Sequence, residues 1–255
     1  TNKLSEAEKR CLFHLIKAAE QADLIFWQQA YMDKNEALKK VKDSVLKAFL
    51  EINYGPWDRL NNNKPFVEGV GEKPKGANFY PEGFDGSNIG EGEATRILSP
   101  YTVVTRVFEI SEGNPPPMPD NQGANLGKMP KMVEMFPMNS GSGSNSFVEI
   151  ENYAQYYQSN LMELQKHMDF AAAAIEAEDE KLSEYLRMRG QALLGDQLIE
   201  SDIAWLQLDA HLDIIIGPIE NYEDKLTGQK TAYEAYVLVR DKEWGERLKQ
   251  YLVWL

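Results

Sequence analysis

Five polar or aromatic side chains follow one another after an apolar run, and their types suit the binding of a positively charged group. The segment 213–228 reads DIIIGPIENYEDKLTG, and the run comprises Glu220, Asn221, Tyr222, Glu223 and Asp224. Carboxylates accept strong hydrogen bonds from an ammonium group, and a tyrosine adds a hydroxyl. The pattern therefore predicts a strand that ends in acceptors, at a cleft edge that would hold a cationic ligand.

Strand geometry sorts these candidates by the face on which they lie. If the strand continues through Tyr222, Glu220 and Tyr222 share one face, and Asn221 points to the other. Two interpretations of the residues alone remain open. The side chains anchor a ligand, or they satisfy one another inside a hairpin, as strand-end carboxylates often do.

The elements that must position this segment are mostly helical. Ser5 and Glu8 have the capping-box spacing, so a helix is expected to begin at Ser5. Apolar periodicity predicts further helices at 35–51, 149–178, 179–194, from 196 onward, and at 242–254. β-Branched and aromatic residues predict strands at 99–110 and 231–240, and an edge strand at 131–138 that Pro137 ends.

Two segments rich in Gly and Pro interrupt these elements. Residues 53–92 carry aromatic residues of the buried type, which predicts an ordered loop. Residues 111–146 read as a Gly/Pro/Ser-rich surface insertion. The fold class predicted is α+β, predominantly helical with a small antiparallel β-sheet, in a single lobe covering 1–255. The apolar ending YLVWL leads us to expect that the natural chain continues.

Composition excludes several classes of partner. The chain has 27 Lys+Arg against 40 Asp+Glu, a formal net charge of −13. Such an acidic chain does not favour nucleic acid or anionic membranes, which reward basic surfaces. The sequence has no apolar run of about 18 residues, the length of a transmembrane helix. Nothing in it assigns a compartment.

The sequence contains no recognisable catalytic or metal-binding motif. Cys11 lies among helical core positions, which favours a buried thiol over a nucleophile. The three histidines, His14, His167 and His211, include no pair at i+3 to i+5, so no zinc ligand set is predicted. No nucleophile elbow, phosphate loop or dinucleotide fingerprint occurs. We therefore predict no catalytic residue, no metal ligand and no cofactor in this chain.

Several blocks resemble the dipeptidyl-peptidase III family of zinc metallopeptidases. The likeness is closer to its shorter bacterial and plant branch, whose plant members carry a fused Nudix domain. The blocks lie at 4–31, 54–66, 73–81, 99–104, 193–206 and 215–237. The most specific is IIGPIENYEDKLTGQKTAYEAYV, which begins at Ile215.

The resemblance implies that this chain is the N-terminal portion of a two-lobed peptidase. In the family, the zinc ligands and the general base lie further along, in a His-Glu-x-x-Gly-His motif and a later glutamate. The implied partners are a peptide substrate and the missing C-terminal catalytic lobe, which would carry the zinc. Alone, the chain is expected to bind zinc poorly and to hydrolyse nothing.

Position by position, the resemblance assigns substrate-binding roles. Glu220 would pair with the terminal ammonium of the peptide, and Tyr222 would orient the peptide backbone through its hydroxyl. Asn221 is the weaker candidate of the three. Glu223 departs from the pattern, because the longer members of the family carry Arg there, so the local charge differs.

Three functional hypotheses result. The leading one is the substrate-binding N-terminal part of a zinc-dependent exopeptidase that acts from the amino end. The alternative is a non-catalytic peptide-binding or scaffold protein that lacks the metal lobe. A third is a structural module whose apolar C-terminus docks a partner chain.

Overall fold

The computed structural model describes residues 4–84, 86, 97–110, 134–139 and 145–252. The chain divides into two compact units. The first unit contains residues 1–25, 157–219 and 233–255, and the second contains 26–156 and 220–232. The prediction that the whole chain forms one lobe stays a prediction. Most of the expected insertion at 111–146 lies outside the described residues.

The described residues are about half helical, with small antiparallel sheets. The helices are α1 Glu6–Ala30, α2 Lys34–Lys39, α3 Ser44–Asn53, α4 Tyr153–Tyr156, α5 Gln158–Ile175, α6 Glu180–Leu193, α7 Ile199–Leu206 and α8 Lys242–Leu252. The strands are β1 Trp57–Asp58, β2 Lys64–Pro65, β3 Thr102–Ile110, β4 Glu134–Asn139, β5 Asn145–Asn152, β6 Leu212–Glu220 and β7 Ala232–Val239. Within the described ranges, no helix combines the length and the apolar composition needed to cross a bilayer.

Helix α1 begins with the predicted capping box. The N–H of Glu8 donates to Ser5 Oγ at 3.0 Å, and the N–H of Ser5 donates to Glu8 Oε2 at 2.8 Å. Two backbone donors that the helix leaves open are thereby satisfied. Cys11 follows on the buried face, where burial raises the pKa of its thiol to about 12. The prediction of a buried thiol is confirmed.

The single helix predicted at 35–51 is wrong, because the structure has two helices there. Helix α2 ends at Lys39, and α3 begins after Asp43, whose carboxylate accepts the N–H of Leu46 at 2.8 Å. An aspartate immediately before a helix is a strong N-cap, so it starts a new helix instead of continuing the old one.

The larger sheet has the strand order β3-β5-β4, and its strands are antiparallel. Strand β5 extends to Asn152, so the helix predicted from 149 was wrong over its first residues. Strand β4 is the expected edge strand, but its pairing continues through Pro137, which lies opposite Phe147. An edge strand tolerates the missing backbone N–H of a proline, so Pro137 does not end the ladder.

In the first unit, helices α5 and α6 form the core. Their buried apolar side chains are Leu161, Leu164, Met168, Ala171, Ala172, Ile175, Leu182, Tyr185, Leu186 and Leu193. Gly190 lets the helices approach closely, since a Cβ there would lie 3.2 Å from Gln165 and 3.3 Å from Met168.

A buried arginine ties α6 to strand β6 in the first unit. Arg189 Nε donates to the Ile216 carbonyl at 2.8 Å, and its Nη1 donates to Ser201 Oγ at 2.9 Å and to Asp202 Oδ1 at 2.8 Å. Tyr185 donates its hydroxyl proton to the Ile214 carbonyl at 2.9 Å. We call these six residues the Arg189 cluster. They fix the middle of β6 from the helix side.

Strands β6 and β7 pair in a two-stranded sheet. The N–H of Arg240, just after β7, donates to the carbonyl of His211, just before β6, at 2.9 Å. This contact joins the end of one strand to the start of the other, so the strands are antiparallel. The chain leaves this sheet at Glu220 and returns to it at Ala232.

Candidate functional site

Strand β6 ends at Glu220, the first of the predicted site residues. Its carboxylate is half-buried and makes no hydrogen bond or ion pair with any other residue that the structure describes. Tyr222 lies beyond the strand and is 76% exposed. The expected strand through Tyr222 is therefore wrong, and strand alternation does not place the two side chains on one face.

Residues 221–231, which we call the anchored turn, join β6 to β7. Asn221 donates from Nδ2 to the Gly228 carbonyl at 2.6 Å, and the N–H of Gly228 donates to the Asp224 carbonyl at 3.1 Å. Gly228 has φ +68°, a backbone conformation that residues other than glycine adopt with strain. Asn221 thus closes the turn with its amide nitrogen.

Asp224 is the buried centre of the anchored turn. Its two carboxylate oxygens accept from the backbone N–H groups of Leu226, Thr227, Gln229 and Lys230 and from the hydroxyls of Thr227 and Tyr80, all at 2.7–3.1 Å. Burial alone would raise the pKa of Asp224, but hydrogen bonds from Lys230 and Thr227 outweigh burial and hold this pKa below its usual value. Asp224 is therefore ionised and fully occupied.

Glu223 is also buried, and two cations hold it. Arg59 donates from Nη1 to Oε2 at 2.7 Å and from Nη2 to Oε1 at 3.1 Å, and Lys73 donates to Oε1. Burial opposes ionisation of Glu223, but the hydrogen bonds and charges of Arg59 and Lys73 hold its pKa below the usual value. The charge of Glu223 is therefore matched by its own basic partners.

Arg59 is itself fixed before it reaches Glu223. Its Nε donates to the Asn53 carbonyl at 2.6 Å, and its backbone N–H donates to Asn53 Oδ1 at 2.9 Å. The guanidinium lies 5.4 Å from the ring centroid of Phe26 and 5.8 Å from that of Tyr54. Aromatic faces attract cations at such distances, so Arg59 is a rigid support for the turn.

The far end of the turn is held by Lys230, which is fully buried. Its ammonium nitrogen lies 2.5 Å from the Ile97 carbonyl, 3.0 Å from the Ser99 carbonyl and 2.6 Å from Thr102 Oγ1. Burial lowers the pKa of Lys230 to about 7. These three acceptors tie the turn to residues 97–102.

The sequence pointed to Glu220, Asn221 and Tyr222, and to Asp224 as a ligand acceptor. It did not reveal the structural role of Asp224 or the supports Arg59, Lys73 and Lys230. That role of Asp224 could have been found, since an aspartate followed by Thr227 and Gly228 is a typical side-chain-capped turn. Arg59 and Lys73 offered no local signal, because they are 164 and 150 residues away from Glu223.

A histidine pair in the first unit is the other feature that the sequence did not reveal. His14 of α1 and His167 of α5 approach with 3.2 Å between their Nδ1 atoms. Burial first, and then His167, lowers the pKa of His14. A zinc ion takes three or four protein ligands, and the described residues contain no group of three or more such side chains. The pair does not fit a zinc site.

Known proteins resemble this chain in sequence and in structure. No family model matches the chain. Solved structures of dipeptidyl-peptidase III have a similar fold. The enzyme from Caldithrix abyssi gives a TM-score of 0.73 at 29% identity over 97% of this chain, and that from Corallococcus sp. strain EGB gives 0.74 at 28% over 98%. The chain covers 42% of each of those structures.

A curated relative gives the second comparison. The chain is 27% identical over 296 residues to Nudix hydrolase 3 of Arabidopsis thaliana, across 96% of this chain and 36% of that protein. The chain therefore spans well under half of the relatives that it matches. The resemblance to dipeptidyl-peptidase III is confirmed in fold and sequence. The branch, and the place of this chain as an N-terminal portion, stay predictions.

Proposed function

We propose that this chain is the substrate-binding part of a zinc-dependent exopeptidase of the dipeptidyl-peptidase III kind, which acts on peptides from the amino end. The observation that carries the proposal is the Glu220 carboxylate. It lies at the end of β6, half-buried and unpaired among the described residues. The turn that follows contains the acids Glu223 and Asp224, which already have hydrogen-bond or ion-pair partners. The similarity to solved dipeptidyl-peptidase III structures supports the assignment.

In this proposal Glu220 accepts hydrogen bonds from the terminal ammonium of the peptide. Such a charge-assisted contact is strong only when water is kept away from it, and the half-buried position of Glu220 provides part of that exclusion. Tyr222 is exposed and directs its hydroxyl to the peptide backbone as the ligand binds. Asn221 keeps its Oδ1 for a peptide N–H, because its Nδ2 already donates to Gly228.

The anchored turn contributes by being ordered before the peptide arrives. Asp224 fixes its backbone, and the Arg59 and Lys73 contacts fix Glu223 next to Tyr222. A site that is ordered in advance loses little conformational entropy on binding, which increases affinity. The buried polar groups thus support the exposed ones without touching the ligand.

The chemical step belongs to the proposed partner, the C-terminal catalytic lobe. Zinc bound in that lobe would polarise the scissile carbonyl and activate a water molecule. The residues of this chain bind and orient the peptide, and they hold no proton that the reaction moves. The substrate is accordingly proposed to lie with its amino end at Glu220.

The proposal is tested by isothermal titration of the chain with matched peptides that have a free or an acetylated amino end. Glu220→Gln removes the charge and keeps the shape, so free-amine peptides should bind about tenfold more weakly. Acetylated peptides should bind the wild type more weakly than free-amine peptides, and the substitution should leave their binding unchanged. Glu82→Gln, an exposed carboxylate of the second unit, is the matched control. Equal losses for both peptides would remove the ammonium role.

A further inference from the structure

A pocket lined by lysines lies in the second unit, beside the anchored turn. It has a volume of about 410 Å³. Its walls are residues 62–65, residues 72–75, Glu223 and Lys225. Four of the lining residues are basic: Lys64, Lys73, Lys75 and Lys225. We call this cavity the lysine pocket.

The positive charges of the lysine pocket are only partly neutralised. Lys73 is committed to Glu223, which Arg59 also holds. Lys64, Lys75 and Lys225 are exposed, and their ammonium groups form no ion pair or hydrogen bond within the described part of the chain. Glu72 is the one lining carboxylate outside the Glu223 pair, so lysines outnumber acids around the cavity.

The chain as a whole has a net charge of −13, whereas the pocket lining has four lysines and two glutamates. The backbones of Lys75 and Lys225 lie side by side, because the N–H of Lys225 donates to the Lys75 carbonyl at 2.7 Å, and both side chains line the pocket. Like charges held close together raise the local potential, and a bound anion relieves it. The cavity volume falls within the range of small-ligand sites, so a carboxylate side chain fits it.

The position of the pocket relates it to the peptide site. Glu223 lines the pocket and follows Glu220 by three residues, so their Cα atoms are at most about 11 Å apart. An extended peptide advances by about 3.3 Å per residue. A peptide whose amino end lies at Glu220 therefore reaches the pocket within roughly its first four residues.

We propose that the lysine pocket receives the carboxylate of an acidic residue near the amino end of the bound peptide. The inference rests on the proposed function, and it defines the substrate class as peptides with Asp or Glu shortly after a free amino end. Lys75 and Lys225 are the specificity-determining residues. Lys73 is a structural member of the pocket, because its ammonium already serves Glu223.

The experiment measures dissociation constants for two free-amine peptides that differ only by Asp or Asn at the third position. The wild type should bind the Asp peptide about fivefold more tightly, as two exposed ion pairs allow. In the double variant Lys75→Gln/Lys225→Gln the two peptides should bind equally. Lys40→Gln/Lys42→Gln removes the same charge from exposed lysines of the second unit and should keep the preference. Raising the ionic strength from about 0.01 to about 0.5 M should reduce the preference of the wild type for the Asp peptide.

The outcomes separate this inference from the proposed function. Glu220→Gln should weaken the binding of both peptides by the same factor and leave the ratio of their dissociation constants unchanged. That result supports both proposals. An Asp preference that survives in Lys75→Gln/Lys225→Gln overturns the pocket assignment and leaves the proposed function standing. If inorganic phosphate binds the lysine pocket and the wild type shows no Asp preference, the cavity is a site for free anions and the inference is wrong. Failure of both peptides to bind overturns both proposals.

Discussion

The Arg189 cluster and the anchored turn both bury charged side chains beside strand β6, but the cluster buries one cation, whereas the turn buries two acids together with a cation. In the first unit the buried group is a cation, and its partners are a carbonyl, a hydroxyl and the exposed Asp202. In the second unit the buried acids Glu223 and Asp224 have cations, hydroxyls and backbone N–H groups as partners. The buried cation of the same turn, Lys230, has two carbonyls and a hydroxyl as acceptors.

The difference explains why only the turn is a candidate binding site. In the Arg189 cluster each named polar group has a partner within the cluster, so the cluster holds the strand and offers nothing to a ligand. In the turn the buried acids are satisfied, whereas the neighbouring Glu220 has no partner among the described residues. A functional group on a rigid, fully bonded support is the arrangement expected of a binding site.

The largest effect is expected for Asp224→Ala. The change removes an acceptor from four backbone donors and from the Tyr80 and Thr227 hydroxyls, so the free energy of unfolding should fall by roughly 3–4 kcal/mol. Peptide affinity should fall as well, because the turn is no longer ordered in advance. Urea unfolding and peptide titration measure the two losses. Asp209→Ala, which removes a 96% exposed carboxylate, is the control and should change neither.

A somewhat smaller loss of stability is expected for Arg189→Met, of about 2–3 kcal/mol, because the Ile216 carbonyl and Ser201 lose a buried donor. Unlike Asp224→Ala, this change should leave the peptide affinity of the folded chain within about twofold of the wild type. Arg187→Met, on the same helix but with a side chain 41% exposed, is the control. A strong loss of affinity in Arg189→Met would remove the functional contrast between the two regions.

The smallest effect is expected for Glu223→Gln, and it depends on pH. The pKa of Glu223 is lower in the folded state than its ordinary value of 4.5, so its charge stabilises the fold above that pH. That stabilisation is lost as the pH falls through the folded-state pKa. Relative to the wild type, the variant should be less stable by about 1–2 kcal/mol at neutral pH, and the gap should close below pH 4.5. Unfolding curves at a series of pH values test this. A gap that does not change with pH would assign the loss to packing and not to charge.

Local features of the molecule could be predicted from the sequence. The capping box at Ser5 and Glu8 needs only three residues of context, and the alternation at 232–239 was sufficient for strand β7. The strand order of the larger sheet could not be predicted in this way. Residues 149–152 favour helix locally, but they belong to strand β5 because they pair with β3 on one side.

The candidate site divides along the same line. Glu220, Asn221 and Tyr222 could be named because their types and spacing are visible within a few residues. The fate of Glu223 could not, since its partners Arg59 and Lys73 come from distant parts of the chain. The strand was also expected to run through Tyr222, whereas the chain turns after Glu220 to bring Asp224 to its donors.

The distance along the chain between the turn and its supports has a practical consequence. Arg59, Lys73 and Tyr80 meet their partners across 164, 150 and 144 residues. A synthetic peptide that copies 213–228 therefore lacks the groups that shape the turn, and so does any proteolytic piece cut between residues 80 and 223. The shortest continuous segment that contains Glu220 together with these supports runs from Arg59 to Lys230, and ligand screens or antibodies aimed at this site need at least that length.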